Sequence, residues 1–186
     1  MPAAFDGDRR NRGTVQFAAG DEGPRSMRVE IVNRQARVRV NCRKIGGLAR
    51  FLASRPASRP WREQCAETAV LLVDDSGMRS VNQACFGRAD DTDVISQRYA
   101  AIPGEAGGAL GEVIVNVACA ARRRPARARR GWDASRELAL YVAHGCDHLC
   151  GADDATGAAR RRMRRRELRW LKQAAALELT RGLIVP

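Results

Sequence analysis

From Met27 onward the chain falls into short runs whose apolar residues recur either every second position or every third to fourth. Val29 and Ile31, then Val38 and Val40, alternate with polar residues, which predicts a strand or a short hairpin. Ile45, Leu48, Phe51 and Leu52 have helical spacing and predict a helix ending before Pro56; Pro56, Ser58 and Pro60 mark a loop. The continuous run Ala69-Val70-Leu71-Leu72-Val73 predicts a strand buried on both faces. Asp74, Asp75 and Ser76 supply a cap for a helix that continues through Met78, Val81, Asn82 and Cys85. Asp93 to Ser96 and Glu112 to Val115 predict two further strands, joined by a turn-rich connector at Pro103 to Gly108, and a helix begun at Val117 is stopped by Pro125. A long helix follows, capped by Asp133 or Ser135, with Leu138, Tyr141, Val142, Gly145 and Leu149 inward, and Gly151 stops it. The last helix runs from about Thr156 to Leu179 with Met163, Leu168, Leu171 and Ala175 inward.

Residues 1–26 mix Gly, Asp, Arg and Pro without periodicity and are expected to be a disordered or loosely packed tail; residues 27–186 are expected to form one domain. The fold class this order implies is α+β: a small mixed sheet packed with helices, with a long central helix.

Composition adds three constraints. A hydrophobic fraction of 45% excludes global disorder. No apolar run is long enough to span a bilayer, and the N-terminus has no apolar segment of the secretory kind. Six cysteines are too few for a disulfide scaffold and form no Cys-x-x-Cys pair, so the expectation is a cytoplasmic protein with reduced thiols.

The net charge of +12 raises a polyanionic partner as an option. Two runs of positive charge stand out, Arg122, Arg123, Arg124, Arg127, Arg129 and Arg130, and Arg160, Arg161, Arg162, Arg164, Arg165 and Arg166. Each run reads equally as a solvated helix face. No phosphate loop of the Gly-x-x-x-x-Gly-Lys kind and no Gly-x-Ser-x-Gly elbow occurs, so no nucleotide cofactor is expected.

The two histidines of the chain, His144 and His148, stand four apart in the strongest helical segment. Four residues turn a helix by about 400° and advance it about 6 Å, so both rings leave one face and can reach one metal ion. The alternative is a pair of ordinary helix histidines. A catalytic zinc usually takes three protein ligands. Gly151 turns the chain back, so Asp153 or Asp154 can complete the site, or either can cap the final helix.

The run His144-Gly145-Cys146-Asp147-His148-Leu149-Cys150-Gly151-Ala152-Asp153-Asp154 resembles the signature H-G-x-x-H-L-x-G-x-D-H of the YbeY family of rRNA maturation factors. Asn82, ten residues before Thr92-Asp93-Val94-Ile95-Ser96, and the strand Leu110-Gly111-Glu112-Val113-Ile114-Val115 are similar to two further blocks of that family, in the same order and spacing. The resemblance covers roughly residues 27–178. It implies a metal-dependent endoribonuclease acting on single-stranded rRNA, in 16S rRNA 3′-end maturation and ribosome quality control. Implied with it are one zinc per chain on His144, His148 and Asp154, and rRNA and the small ribosomal subunit as partners, with no membrane. The alternative is a catalytically impaired relative that binds rRNA or the ribosome as an assembly factor.

Several family positions differ. The third histidine falls on Asp154, so the ion and its ligands would carry about one positive charge instead of two and would polarise water less. The family's arginine four residues after the asparagine falls on Phe86, with Arg88 the nearest basic residue. Gln97 replaces the Phe after the serine, and Asp91 the Pro before the threonine. For charge growing on a phosphoryl group the candidates are Arg88, preferred, and Arg98; either is equally a surface charge. Once both histidines bind metal, proton transfer would fall to Asp147 or Asp153; Asp147 reads equally as a partner to the site or as an exposed helix charge.

Overall fold

The structure, a computed structural model, describes residues 13–17, 27–59, 61, 65–101, 109–123 and 132–185. Strands β1 (Gly13–Phe17), β2 (Arg28–Asn33), β3 (Cys65–Val73), β4 (Val94–Tyr99) and β5 (Ala109–Asn116) form one sheet in the order β1-β2-β3-β5-β4. The pairings β2–β3 and β3–β5 are parallel, and the edge strands β1 and β4 run antiparallel to their neighbours. The helices are α1 (Cys42–Ala53), α2 (Asp75–Phe86), α3 (Val117–Arg123), α4 (Ala134–Leu149) and α5 (Gly157–Ala176). This is the expected α+β arrangement with a mixed sheet.

The strands bury both faces because their side chains alternate. Val70 and Leu72 of β3 and Val113 and Val115 of β5 point into the main core, against Leu48 and Leu52 of α1 and Leu138 and Val142 of α4. Val73 and Ile114 point the other way, onto Met78 of α2 and Ile95 of β4. Each such fully buried aliphatic side chain contributes roughly 1.5–3 kcal/mol relative to exposure.

The caps follow the sequence closely. Asp74 accepts from the Gly77 N–H at the start of α2, and Asp133 from the Arg136 N–H at the start of α4. Thr156 caps α5 through the Ala159 N–H. Ser135, the other candidate cap, instead bonds both backbone groups of Ile184.

Three expectations change. No hairpin joins Val29–Ile31 to Val38–Val40, because the buried Gln35 side chain takes both the N–H and the C=O of Val38, and Val40 bridges to Ile184. The inward face of α5 is Met163, Glu167, Trp170, Leu171 and Ala174, while Leu168 lies on the exposed side. Residues 13–17 of the segment expected as a tail form β1; residues 1–12 and 18–26 lie outside the described residues, as do the connector at 103–108 and Arg124, Arg127, Arg129 and Arg130.

Candidate metal centre

The site is set by how closely α4 lies on the sheet. A Cβ on Gly145 would stand 2.3 Å from Cγ1 of Val113 and 3.0 Å from Cγ2 of Val94, so glycine is what lets the helix settle there. Ser96 of β4 donates to the Gly145 carbonyl at 3.1 Å. Arg98, two residues along the same strand, donates to the Leu149 carbonyl at the end of α4. Arg98 therefore holds the helix terminus, a different task from the phosphate contact considered for it.

After Leu149 the chain turns sharply. The Gly151 N–H donates to the His148 carbonyl at 2.8 Å and the Ala152 N–H to the Asp147 carbonyl at 3.1 Å, with Gly151 at φ 86°, a conformation that favours glycine. This turn returns Asp154 to the histidine face. Ligand atoms of His144, His148 and Asp154 lie within 4.8 Å of one another, the three residues expected to form the site.

The imidazoles are fixed by their outer nitrogens. His144 Nδ1 stands 2.6 Å from Oε1 of the buried Glu167, and His148 Nδ1 stands 3.0 Å from the Ala152 carbonyl oxygen. Both partners are oxygen acceptors, so both Nδ1 atoms carry a proton, and in the neutral rings both Nε2 atoms carry the lone pair. These two Nε2 atoms face each other at 3.2 Å. Two bare lone pairs that close repel, and either a proton on one Nε2 donated to the other or a metal cation between them relieves this. Nitrogen ligands at ~2.0–2.1 Å from a tetrahedral zinc stand about 3.3 Å apart, so the donor set fits such an ion.

The surroundings are acidic. Burial opposes a charged His144, but the hydrogen bond and charge of Glu167, with Asp93 and Asp154 behind it, outweigh burial and raise its pKa. The neighbouring thiols are unsuited as ligands: burial pushes both Cys146 and Cys150 up, away from thiolate.

Two hollows meet at the histidines. An open cleft of about 780 Å³ is lined by His148, Asn82, Phe86, Arg88, Asp90 and Ser96 among others. A smaller one of about 330 Å³ contains His144, Asp154, Glu167, Asp93 and Arg160. Asn82 donates to the Asp90 carbonyl at 2.9 Å, which holds the loop carrying Arg88 against the cleft.

Of the remaining candidates, Arg88 lines the cleft with His148. Asp147 is buried and faces α5, where Arg166 reaches both its carboxylate oxygens at 3.0 and 2.6 Å. Burial raises its pKa, against the pull of Arg166. Asp153 is exposed and accepts from the Ala155 N–H in the turn before α5. The arginine run of α5 divides in the same way: Arg160 donates to the Asp154 carbonyl, Arg164 approaches Glu167 at 3.8 Å and Arg166 holds Asp147, whereas Arg161, Arg162 and Arg165 face solvent.

Glu167 is the site residue that sequence reasoning missed. Its signal was present: it lies midway between Met163 and Leu171, so a helix burying both of those also buries a carboxylate. A buried carboxylate needs a partner, and His144 is that partner.

The fold and the site define a small α+β protein with a candidate two-histidine, one-carboxylate centre built from its long helix and the turn that follows it. A model of the endoribonuclease YbeY family matches residues 30–175, and the chain belongs to that family. Similar proteins include an endoribonuclease YbeY of Pelotomaculum thermopropionicum, 32% identical over 147 residues, 76% of this chain and 93% of that protein. Another, from Anaeromyxobacter sp. (strain Fw109-5), is 39% identical over 102 residues, 55% of this chain and 51% of that protein. The match thus spans about half the length of the Anaeromyxobacter relatives. A solution structure of a Thermotoga maritima protein aligns with a TM-score of 0.48 at 17% identity, over 83% of this chain and 94% of that one. Among the described residues no helix is long and apolar enough to cross a membrane.

Proposed function

We propose that this protein is a metal-dependent endoribonuclease of single-stranded rRNA, acting in the cytoplasm in 16S rRNA 3′-end maturation and ribosome quality control, with rRNA and the small ribosomal subunit as partners. Relatives named endoribonuclease YbeY support the reaction class. The observation that supports the metal dependence is the convergence of ligand atoms of His144, His148 and Asp154 within 4.8 Å of one another, with both Nδ1 atoms committed to oxygen acceptors.

His144, His148 and Asp154 would hold one zinc ion. When bound, such an ion supplies Lewis acidity toward water or a phosphate oxygen. The protein's own groups supply the rest. Glu167 and the Ala152 carbonyl keep both imidazoles in the ligating tautomer. Arg88, in the cleft beside His148, binds the phosphate and stabilises charge growing on it. Asp147 and Asp153 are assigned positioning roles, because Arg166 occupies the first and the turn before α5 the second.

The test is cleavage of single-stranded rRNA fragments by the purified protein, zinc-loaded and chelated, beside a His148→Ala variant. Cleavage by the loaded protein alone, with duplex RNA spared, is the expected result. A protein that binds rRNA equally well without zinc and never cuts it would be a non-catalytic assembly factor.

A further inference from the structure

Phe86 is a large apolar group that the proposed chemistry leaves unused. It is the last residue of α2, and Gly87 at φ 67° turns the chain away immediately after it, so the ring stands at the rim of the cleft. Phe86 is 55% exposed; of the other described aromatic rings, Phe51, Trp61, Trp132 and Trp170 are buried or half-buried, and the exposed Tyr99 bonds Glu112 and does not line the cleft. A single exposed aromatic ring is ordinary by itself. Its position is what matters, because Phe86 shares one cleft with Arg88, Asn82, Ser96 and the candidate metal ligand His148.

The charges of that cleft are balanced. Arg88 and Asp90 both line it, so the cleft is not a plain cationic groove, and phosphate attraction alone would hold a strand there weakly. A ring face offers what charge does not. Nucleobases stack on exposed aromatic side chains whatever their identity. Only a base released from a helix has a free face to offer, since both faces of a duplex base are already covered.

We propose that Phe86 is the stacking surface for one nucleobase of a single strand lying in this cleft, with Arg88 on the adjacent phosphate, and that this ring sets the preference for single-stranded over duplex RNA. The proposal rests on the ribonuclease reading above. It places the stacked nucleotide beside His148.

The experiment compares the full chain with Phe86→Ala and Phe86→Tyr, by fluorescence anisotropy on a labelled single-stranded oligoribonucleotide, on its duplex, and on an abasic strand of equal length. Phe86→Ala should weaken single-strand binding by about 5- to 150-fold, and Phe86→Tyr should restore it. Duplex and abasic affinities should not change, so the single-strand preference should shrink by the same factor. Because the ring is exposed, circular dichroism of both variants should match the parent. Unchanged single-strand affinity in Phe86→Ala, or an equal loss on the abasic strand, overturns the stacking assignment while leaving the ribonuclease reading intact. A parent protein that binds no RNA overturns both.

Discussion

His144 of α4 and Glu167 of α5 are joined by a 2.6 Å contact between Nδ1 and Oε1, across 23 residues of sequence. The carboxylate is 3% exposed and the imidazole 26%, so the pair bridges the packed interior and the open face of the site. Replacing Glu167 by Gln keeps the shape but removes the charge that fixes the tautomer and raises ligand basicity. Zinc affinity, read by competition with a chromogenic chelator, should fall about 10- to 100-fold. Undiminished affinity in Glu167→Gln would mean that the carboxylate serves packing alone.

Asp154, in the turn after α4, is the third member of the proposed ligand set, its carboxylate within 4.8 Å of the ligand atoms of both histidines. Asp154→Ala should retain well under one zinc per chain after dialysis, measured by mass spectrometry of the metal. Asp154→His should regain full occupancy, because imidazole is an equally good zinc ligand and is longer. If Asp154→Ala keeps a full equivalent, the carboxylate is not a ligand.

Gly145 holds α4 against the sheet with no room for a methyl group. Gly145→Ala should cost about 1–3 kcal/mol through overpacking, seen as a lower urea midpoint. Trimming the buried Val113 to Ala costs stability of its own, but the double variant should lose less than the sum of the two single losses. Simple additivity of the two changes would argue against a direct clash.

Asp75 gives the acid limb of stability a definite sign. The hydrogen bonds from Arg122, resisted by burial and helped by Asn116, hold its carboxyl below the ordinary value of 3.8. A lowered folded-state pKa adds stability that is complete above the unfolded-state value and is lost as pH falls through the folded-state one. Urea unfolding should therefore show the Asp75→Asn variant losing less stability than the parent between neutral pH and about pH 3. Parallel pH profiles would show that the Arg122 contact is energetically idle.

What could be read from the sequence follows the range of the interactions involved. Strands β3 and β5, the cap at Asp74 and the facing of His144 and His148 depend on neighbours a few residues apart, and spacing alone revealed them. The family resemblance singled out Asp154, and the fold brings it to the same two histidines. Other features are set by contacts between distant segments. Val38 leaves the strand pattern because a buried glutamine takes its backbone, and the Leu183–Ile184 segment, unexplained by local pattern, is sewn to Asn41, Val40 and Ser135. Counting Leu168 as inward placed the apolar stripe of α5 one step too far round, and that same step concealed Glu167. The arginines of α5 looked alike because side-chain direction is not written in composition; Arg164 and Arg166 turn toward Glu167 and Asp147, and the exposed Arg160 reaches the Asp154 carbonyl.

Strand β4 grips the histidine helix at two carbonyls, Ser96 at Gly145 and Arg98 at Leu149, with the sheet behind both. The outermost strand is thus a splint for the ligand-bearing helix. A load applied along that strand would shift both imidazoles as one body, so their mutual spacing would survive a disturbance that displaced the carboxylate opposite.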